Sequence, residues 1–306
     1  MSGPDGTDPP SDAVFEYDGS GELLVTETMM TSYRVNGYAY IRKLLSSEEI
    51  VHLNHAIDES AELKRHAFGR TDDQGRKSEI CVWNHPGDDV LGTVSRTRKV
   101  AFTAQQLMGG EEVYHYHAKL MMKRGRIGGA FVWHQDYGYW YNNGCMFPDM
   151  CSVFMAIDDC STENGCLQVL RGSHRAGRIV HTTVGEQAAA DPARVRHLSR
   201  VCPRDLVQMR AGDALFFHCN LLHCSANNDS DRRRFALIAA FNQRANDPLW
   251  EHHHPRYTRL EMVPNDAVLK CTRLNSSSDK WFVDPDADTS YANNETDSTE
   301  AADGVA

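Results

Sequence analysis

The sequence has no excess of positive charge: 32 basic residues against 42 acidic ones leave it at −10. With no Lys/Arg run to build a basic face, a nucleic-acid partner is not expected. No apolar run approaches the roughly 20 residues that cross a bilayer, so no membrane partner is expected either. The stretch MSGPDGTDPPSDAVFEYDGSG lacks the basic and apolar regions of a signal peptide, which makes a cytoplasmic location the expectation. Nine cysteines at irregular spacings suggest no disulfide framework and read as free thiols of a reducing compartment. Cys-x-x-Cys and His-Glu-x-x-His are both absent, which removes the usual zinc signatures. No repeat recurs at a period of about 20 to 50 residues, excluding solenoids.

What is present is a chain of 306 residues, 41% hydrophobic, enough for one large domain. Residues 1–30 are rich in Gly, Pro, Asp and Ser, and residues 275–306 are polar and acidic; both ends are expected to be disordered, leaving residues 31–274 as the catalytic-sized domain. Ser46 followed by Glu49 fits a capping box, and Ile50, Leu53, Ile57 and Ala61 recur at helical spacing, which predicts a helix from about Ser47. A second helix is expected over about Val94–Met108. Beyond it come short runs rich in aromatic and β-branched residues, among them EEVYHYHAKLMMK, FVWHQDY, CSVFMAI, CLQVL, ALFFH and FALIAAF, separated by glycine-containing turn signals. About eight strands following helices predict a mainly β fold, a sandwich or barrel with flanking helices.

In FVWHQDYGYW, His134 and Asp136 stand two residues apart, and on a strand they would share one face. An imidazole and a carboxylate are two parts of the two-histidine, one-carboxylate triad that binds non-haem Fe(II) and leaves positions open. AGDALFFHCNLLHCSANNDSDRRRFALIAAF offers His218 and His223 as the third ligand. If the strand ending at His223 pairs as a hairpin with the strand starting at Arg234, those two residues lie side by side, so His223 is read as the ligand and His218 as a packing residue. A guanidinium fork pairs bidentately with a carboxylate. Arg234 near an open iron site therefore suits a keto-diacid whose keto-acid end chelates the metal, with Ser225 adding a hydroxyl donor. His252, His253 and His254 lack flanking carboxylates or cysteines and are expected in a solvated loop. Two other classes stay open: a catalytically silent jelly-roll binding module and a hydrolytic zinc site, neither of which needs Arg234 at its offset.

FVWHQDYGYW, ENGCLQVLRGSHR and AGDALFFHCNLLHCSANNDSDRRR resemble, in order and spacing, the motifs of the phytanoyl-CoA dioxygenase family of Fe(II)- and 2-oxoglutarate-dependent oxygenases, over about Tyr33 to Phe241. The resemblance implies a double-stranded β-helix, or jelly roll of cupin-like form, with helices on one side. It implies His134, Asp136 and His223 as iron ligands, and 2-oxoglutarate held by Arg234 and Ser225 with Lys119 and Gln135 beside it. It also implies O2 as the oxidant, release of succinate and CO2, and stimulation by ascorbate. Between Val113 and Gly144 the chain is similar to ectoine hydroxylase, a family member acting on a small zwitterion. That similarity implies Trp140 at the substrate mouth, where an indole face attracts a cationic group. His117, Tyr139, Arg178 and His181 are further pocket candidates. Met121, Cys224 and Arg124 depart from the family's asparagine, glycine and proline, and the first two weigh against ectoine itself. Gly165 and Gly172 read as turn residues. The expected reaction is hydroxylation of an unactivated C–H of a small polar, amino-acid-like or zwitterionic metabolite. The alternatives are an acyl-CoA substrate, for which no basic cluster fits the phosphate tail, and demethylation or desaturation, which begin with the same hydrogen abstraction.

Overall fold

The computed structural model describes residues 6–19, 21–72, 74–277 and 279–287. Its strands form two facing sheets. The large sheet is ordered β1 (Val14–Glu16), β2 (Tyr38–Arg42), β12 (Ala214–His218), β7 (Met150–Ala156), β14 (Arg234–Gln243), β5 (Val113–Lys123), β4 (Lys77–Trp83) and β3 (Phe68–Thr71). It is antiparallel except where β1 lies parallel to β2. The small sheet is ordered β11 (Arg204–Val207), β8 (Leu167–Leu170), β13 (His223–Ser225) and β6 (Phe131–His134), antiparallel throughout. Strands β9 (His181–Val184) and β10 (Gln187–Ala190) form a separate pair. This is the jelly roll with flanking helices that the resemblance implied, within the sandwich class that the strand pattern predicted.

Side chains alternate across each strand, and the alternation divides the interior in two. On β14, Phe235, Leu237, Ala239 and Phe241 face the helices and join the larger core. Ala236 and Ile238 face the space between the sheets, together with Tyr38, Tyr40, Met121, Phe154 and Phe217. That inter-sheet space holds the candidate functional site.

The helix Ser47–Glu59 starts where the capping box places it: Ser46 Oγ accepts from the Glu49 N–H and Glu49 Oε2 accepts from the Ser46 N–H. Its buried stripe is Ile50, Leu53, Ala56 and Ile57, packed on the outer face of the large sheet. The expected second helix is instead three pieces, Val90–Arg96, a wider turn over Arg98–Phe102, and Thr103–Leu107. Thr97 between them is extended, because Thr97 and Val263 pair like residues of parallel strands: the Arg98 N–H donates to Val263 O at 3.0 Å and the Val263 N–H to Arg96 O at 2.9 Å.

Three further expectations are corrected. The N-terminal segment is not loose over its described part: Val14–Glu16 adds a strand to β2, and Thr7 exchanges hydrogen bonds with Arg204 and Leu206. The C-terminal segment is tied down at least to Val283, whose N–H donates to Val82 O at 2.9 Å. Polar composition does not keep a segment mobile when its backbone can complete an unpaired sheet edge. Residues 1–5 and 288–306 lie outside the described residues. Finally, the hairpin joining His223 to Arg234 does not form. A turn closed by the Leu221 N–H on His218 O carries the chain from the large sheet to the small one, so β13 pairs with β6 and β8 while β14 pairs with β5 and β7. Among the described residues no helix is long and apolar enough to cross a membrane.

Candidate functional site

His134 ends β6, and His223 stands opposite it in the neighbouring β13, with the ring centroids 4.1 Å apart. Asp136 reaches the same point by another route than strand alternation. β6 has already ended, and Asp136, with helical backbone angles of φ −59° and ψ −44°, opens the short helix Tyr137–Trp140. Asp136 Oδ1 lies 3.9 Å from His134 Nε2 and 3.8 Å from His223 Nε2, and one ligand atom of each residue falls within 4.8 Å of the others. His134 Nδ1 is 2.7 Å from Val132 O and His223 Nδ1 is 2.9 Å from Leu221 O. A carbonyl can only accept, so each Nδ1 carries the proton and each Nε2 turns a lone pair toward the common centre.

Asp136 is braced by two donors: Ser152 Oγ, which sequence reasoning missed, donates to Oδ2 at 2.6 Å, and the hydroxyl of Tyr139, expected only as a pocket residue, donates to Oδ1 at 3.0 Å. Burial pushes both imidazoles below the usual histidine range and keeps them neutral, with mutual proximity adding to the effect at His134. Burial acts to raise Asp136, but the charge of Lys119 and the hydrogen bond from the Ser152 hydroxyl act against it, and the carboxyl is held well below its usual range. Two neutral imidazoles and an ionised carboxylate are the donor set that a divalent iron requires.

Behind this cluster lies an inner chamber whose walls include Met121, Phe154, Leu167, Phe217 and Ile238. Arg234 closes its far end with 0% exposure. Its Nη2 donates to Gly165 O at 2.7 Å, while Nε and Nη1 have no protein partner. Two buried cationic donors without acceptors are costly, and a ligand carboxylate in the chamber would supply the acceptor they lack. Ser225 shares the chamber and accepts a hydrogen bond from Lys123 Nζ at 2.8 Å, which leaves its own hydroxyl proton to donate. Lys123 is a further missed residue. It lies opposite Arg234 in the β5–β14 register, fully buried, and its ammonium also donates to Ser225 O and Ala226 O. Burial, and after it the charge of Arg234, pushes this lysine well below its usual range. The signal was available, since Lys119, Met121 and Lys123 alternate onto one face of β5. The orphaned fork of Arg234 and the donor set beside it fit an iron ion carrying 2-oxoglutarate.

An outer chamber opens on the other side of His134 and Lys119, lined by Arg70, His117, Tyr139, Trp140, His254 and Val283 among others. Trp140 and His117 are buried there, 5.4 Å apart edge to face. His254 corrects the solvated-loop reading: it is buried, stacks on His117 at 4.7 Å and bonds Asn84 Oδ1 through Nδ1 at 2.8 Å. Arg70 and Val283 were missed, because nothing local marks them. Three expected site residues line neither chamber. Gln135 turns away, giving its amide to Gly177 O and Asn220 O and accepting from the Ile179 N–H. His181 accepts from the Gln135 N–H at 2.9 Å and lies so close under Gly138 that a Cβ there would sit 2.0 Å from its ring. Arg178 covers the Tyr141 ring at 4.4 Å and donates to Gly138 O. Together they brace the turn that carries Asp136.

The family model described as Phytanoyl-CoA dioxygenase (PhyH) matches residues 33–236. L-proline trans-4-hydroxylase of Streptomyces griseoviridis is 33% identical over 199 residues, 59% of this chain and 73% of that protein. Ectoine dioxygenase of Bordetella parapertussis is 26% identical over 256 residues, 77% of this chain and 81% of that protein. Among solved structures, EctD from S. alaskensis with 2-oxoglutarate and 5-hydroxyectoine aligns with a TM-score of 0.65 at 20% identity, covering 85% of this chain and 95% of its own. The carbocyclase SnoK from nogalamycin biosynthesis aligns at 0.60 and 22% identity, covering 86% and 99%. At these identities the structures establish a shared fold.

Proposed function

This chain belongs to the phytanoyl-CoA dioxygenase family and is an Fe(II)- and 2-oxoglutarate-dependent dioxygenase; on that premise we propose that it hydroxylates an unactivated C–H of a small amino-acid-like or zwitterionic metabolite bearing a carboxylate. The observation that carries the reading is the pair of unpartnered donors on Arg234, aimed into the chamber that His134, Asp136 and His223 also line. In this reading those three residues hold the iron, and Arg234 with Ser225 takes the far carboxylate of 2-oxoglutarate. Lys123 orients the Ser225 hydroxyl, and Lys119 adds positive charge between the two chambers. The chemistry supplied there by bound iron, 2-oxoglutarate and O2 is oxidation of a C–H bond to an alcohol with release of succinate and CO2, ascorbate keeping the metal reduced. The protein's own task is to place the target carbon and exclude water.

The outer chamber supports the substrate class. Its charged lining residues are the cations Arg70 and Lys119, while burial lowers His117 and His254 and keeps them neutral. A substrate carboxylate therefore meets cationic rather than acidic lining, and an ammonium can rest on the faces of Trp140 and Tyr139. Relatives named for L-proline and ectoine agree with a small substrate. The nine free thiols suit a reducing cytoplasm. The test is succinate formation with Fe(II), ascorbate and 2-oxoglutarate over a panel of free amino acids and cyclic zwitterions, with a branched acyl-CoA alongside. Stimulation by one or more carboxylate-bearing amino acids is expected. Turnover of the acyl-CoA with no response to the panel would refute the substrate class.

A further inference from the structure

Strand β3 covers only the Lys77–Ile80 half of β4's outer edge. The remaining half is covered by residues beyond the family match. The Val283 N–H donates to Val82 O at 2.9 Å, the Asn84 and His85 N–H groups donate to Lys280 O at 2.9 and 3.0 Å, and Phe282 bridges Trp83. This short strap is clamped by side chains. Lys280, 2% exposed, places its ammonium 2.8 Å from Asp89 Oδ1 and 4.8 Å from the centre of the Trp83 ring. The same Asp89 carboxylate caps the helix Val90–Arg96 through the Gly92 N–H, and Phe282 stacks on His66 at 4.3 Å. Held in this way, Val283 is 6% exposed and stands in the wall of the outer chamber with Arg70, Trp140 and His254. Asn84 joins the strap to that wall a second time, since its side chain bonds both His253 O and His254 Nδ1.

We propose that Lys280–Val283 is the specificity wall of the outer chamber, with Val283 limiting the size of substrate accepted and the Lys280–Asp89 pair acting as the positioning device that holds it. The assignment rests on the reading of the outer chamber as the substrate site. A buried ion pair adds little net stability over an apolar pair but penalises any arrangement that separates its partners, which is the property a clamp needs. The wall position matters because one methylene in an apolar pocket changes discrimination between substrates about 10- to 200-fold.

Two variants separate a specificity wall from a strap that only covers Trp83. Val283→Phe keeps the clamp and narrows the chamber, whereas a chain ended after Asp279 removes the wall. Both are expected to bind 2-oxoglutarate, in the presence of Mn(II) and without oxygen, within about twofold of the unaltered chain, because the inner chamber is untouched. Solvent-proton relaxation by the bound Mn(II), which reads how freely water reaches the metal, is expected to rise severalfold in the shortened chain and not in Val283→Phe. In turnover, Val283→Phe is expected to raise KM for the best amino acid of the panel about tenfold, and the shortened chain to favour bulkier amino acids. Unchanged relaxation together with an unchanged ranking of amino acids would overturn the wall. Failure of the unaltered chain to bind 2-oxoglutarate would instead overturn the functional reading on which it rests.

Discussion

Arg234 is held in place by a glycine carbonyl. Gly165 has φ +78°, and a Cβ there would lie 2.3 Å from Ala226 O, so only glycine can present that carbonyl to the guanidinium. The orientation leaves the remaining fork donors aimed into the inner chamber. Arg234→Met keeps the volume and removes the fork. It is expected to raise the Kd for 2-oxoglutarate about 100-fold, the equivalent of roughly 3 kcal/mol of charged hydrogen bonds, while Mn(II) affinity changes by less than about threefold. Titration calorimetry distinguishes the two, and an equal loss of metal would contradict the assignment. The residue scale is also where sequence reading did best and worst. His134, Asp136, His223 and Arg234 were legible as residue types suited to one chemistry. Gln135, Arg178 and His181 were not: Gln135 adjoins His134 and Asp136 in sequence but its side chain turns away once the strand has ended, and Arg178 and His181 reach only the turn at Gly138, which pairing between distant segments decides.

At the scale of elements, the helix Ser47–Glu59 is fixed at its start by a carboxylate with two tasks. Glu49 completes the capping box and receives Lys99 Nζ at 2.6 and 2.7 Å, with both side chains almost wholly buried. Lys99→Met leaves a buried carboxylate without its counter-charge and is expected to destabilise the protein by about 3–5 kcal/mol. Pairing it with Glu49→Met is expected to recover most of that loss, at about 1 kcal/mol for the missing cap interaction. Urea denaturation of the single and double variants measures both. A loss below about 1 kcal/mol in Lys99→Met would mean that the pair behaves like an exposed one. The capping box could be read from Ser46 and Glu49 because it is local. The break at Thr97 could not, because it depends on Val263, far along the chain.

At the scale of the whole molecule, the interior encloses several imidazoles as neutral groups. Burial pushes His115 down to about 3 and, with His174 adding to it, His218 down to about 4. His117 and His254 are lowered in the same direction, again chiefly by burial. In the unfolded chain such groups titrate near 6.5, so as pH falls the unfolded state takes up protons first. The stability these residues permit is complete above about pH 6.5 and is lost progressively toward pH 4, with His115 and His218 each costing about 2 kcal/mol by pH 5. The urea midpoint of the metal-free protein is therefore expected to fall steeply between pH 7 and pH 5, and an unchanged midpoint would contradict the buried neutral state.

The amino-acid order alone determined what depends on local periodicity and on the chemistry of single residues: the amphipathic helix and its cap, the run of strands, the imidazole and carboxylate donors, and an arginine suited to a carboxylate. Only the tertiary structure decided which sheet each strand joins, that Arg234 faces the His134, Asp136 and His223 group from the opposite sheet, that Asp136 arrives from a helical turn, and that His254, Arg70 and Val283 complete the outer chamber. Those outcomes rest on pairing between distant segments through backbone N–H and C=O groups. These groups are nearly the same on every residue, so the choice of partner leaves little mark in the sequence.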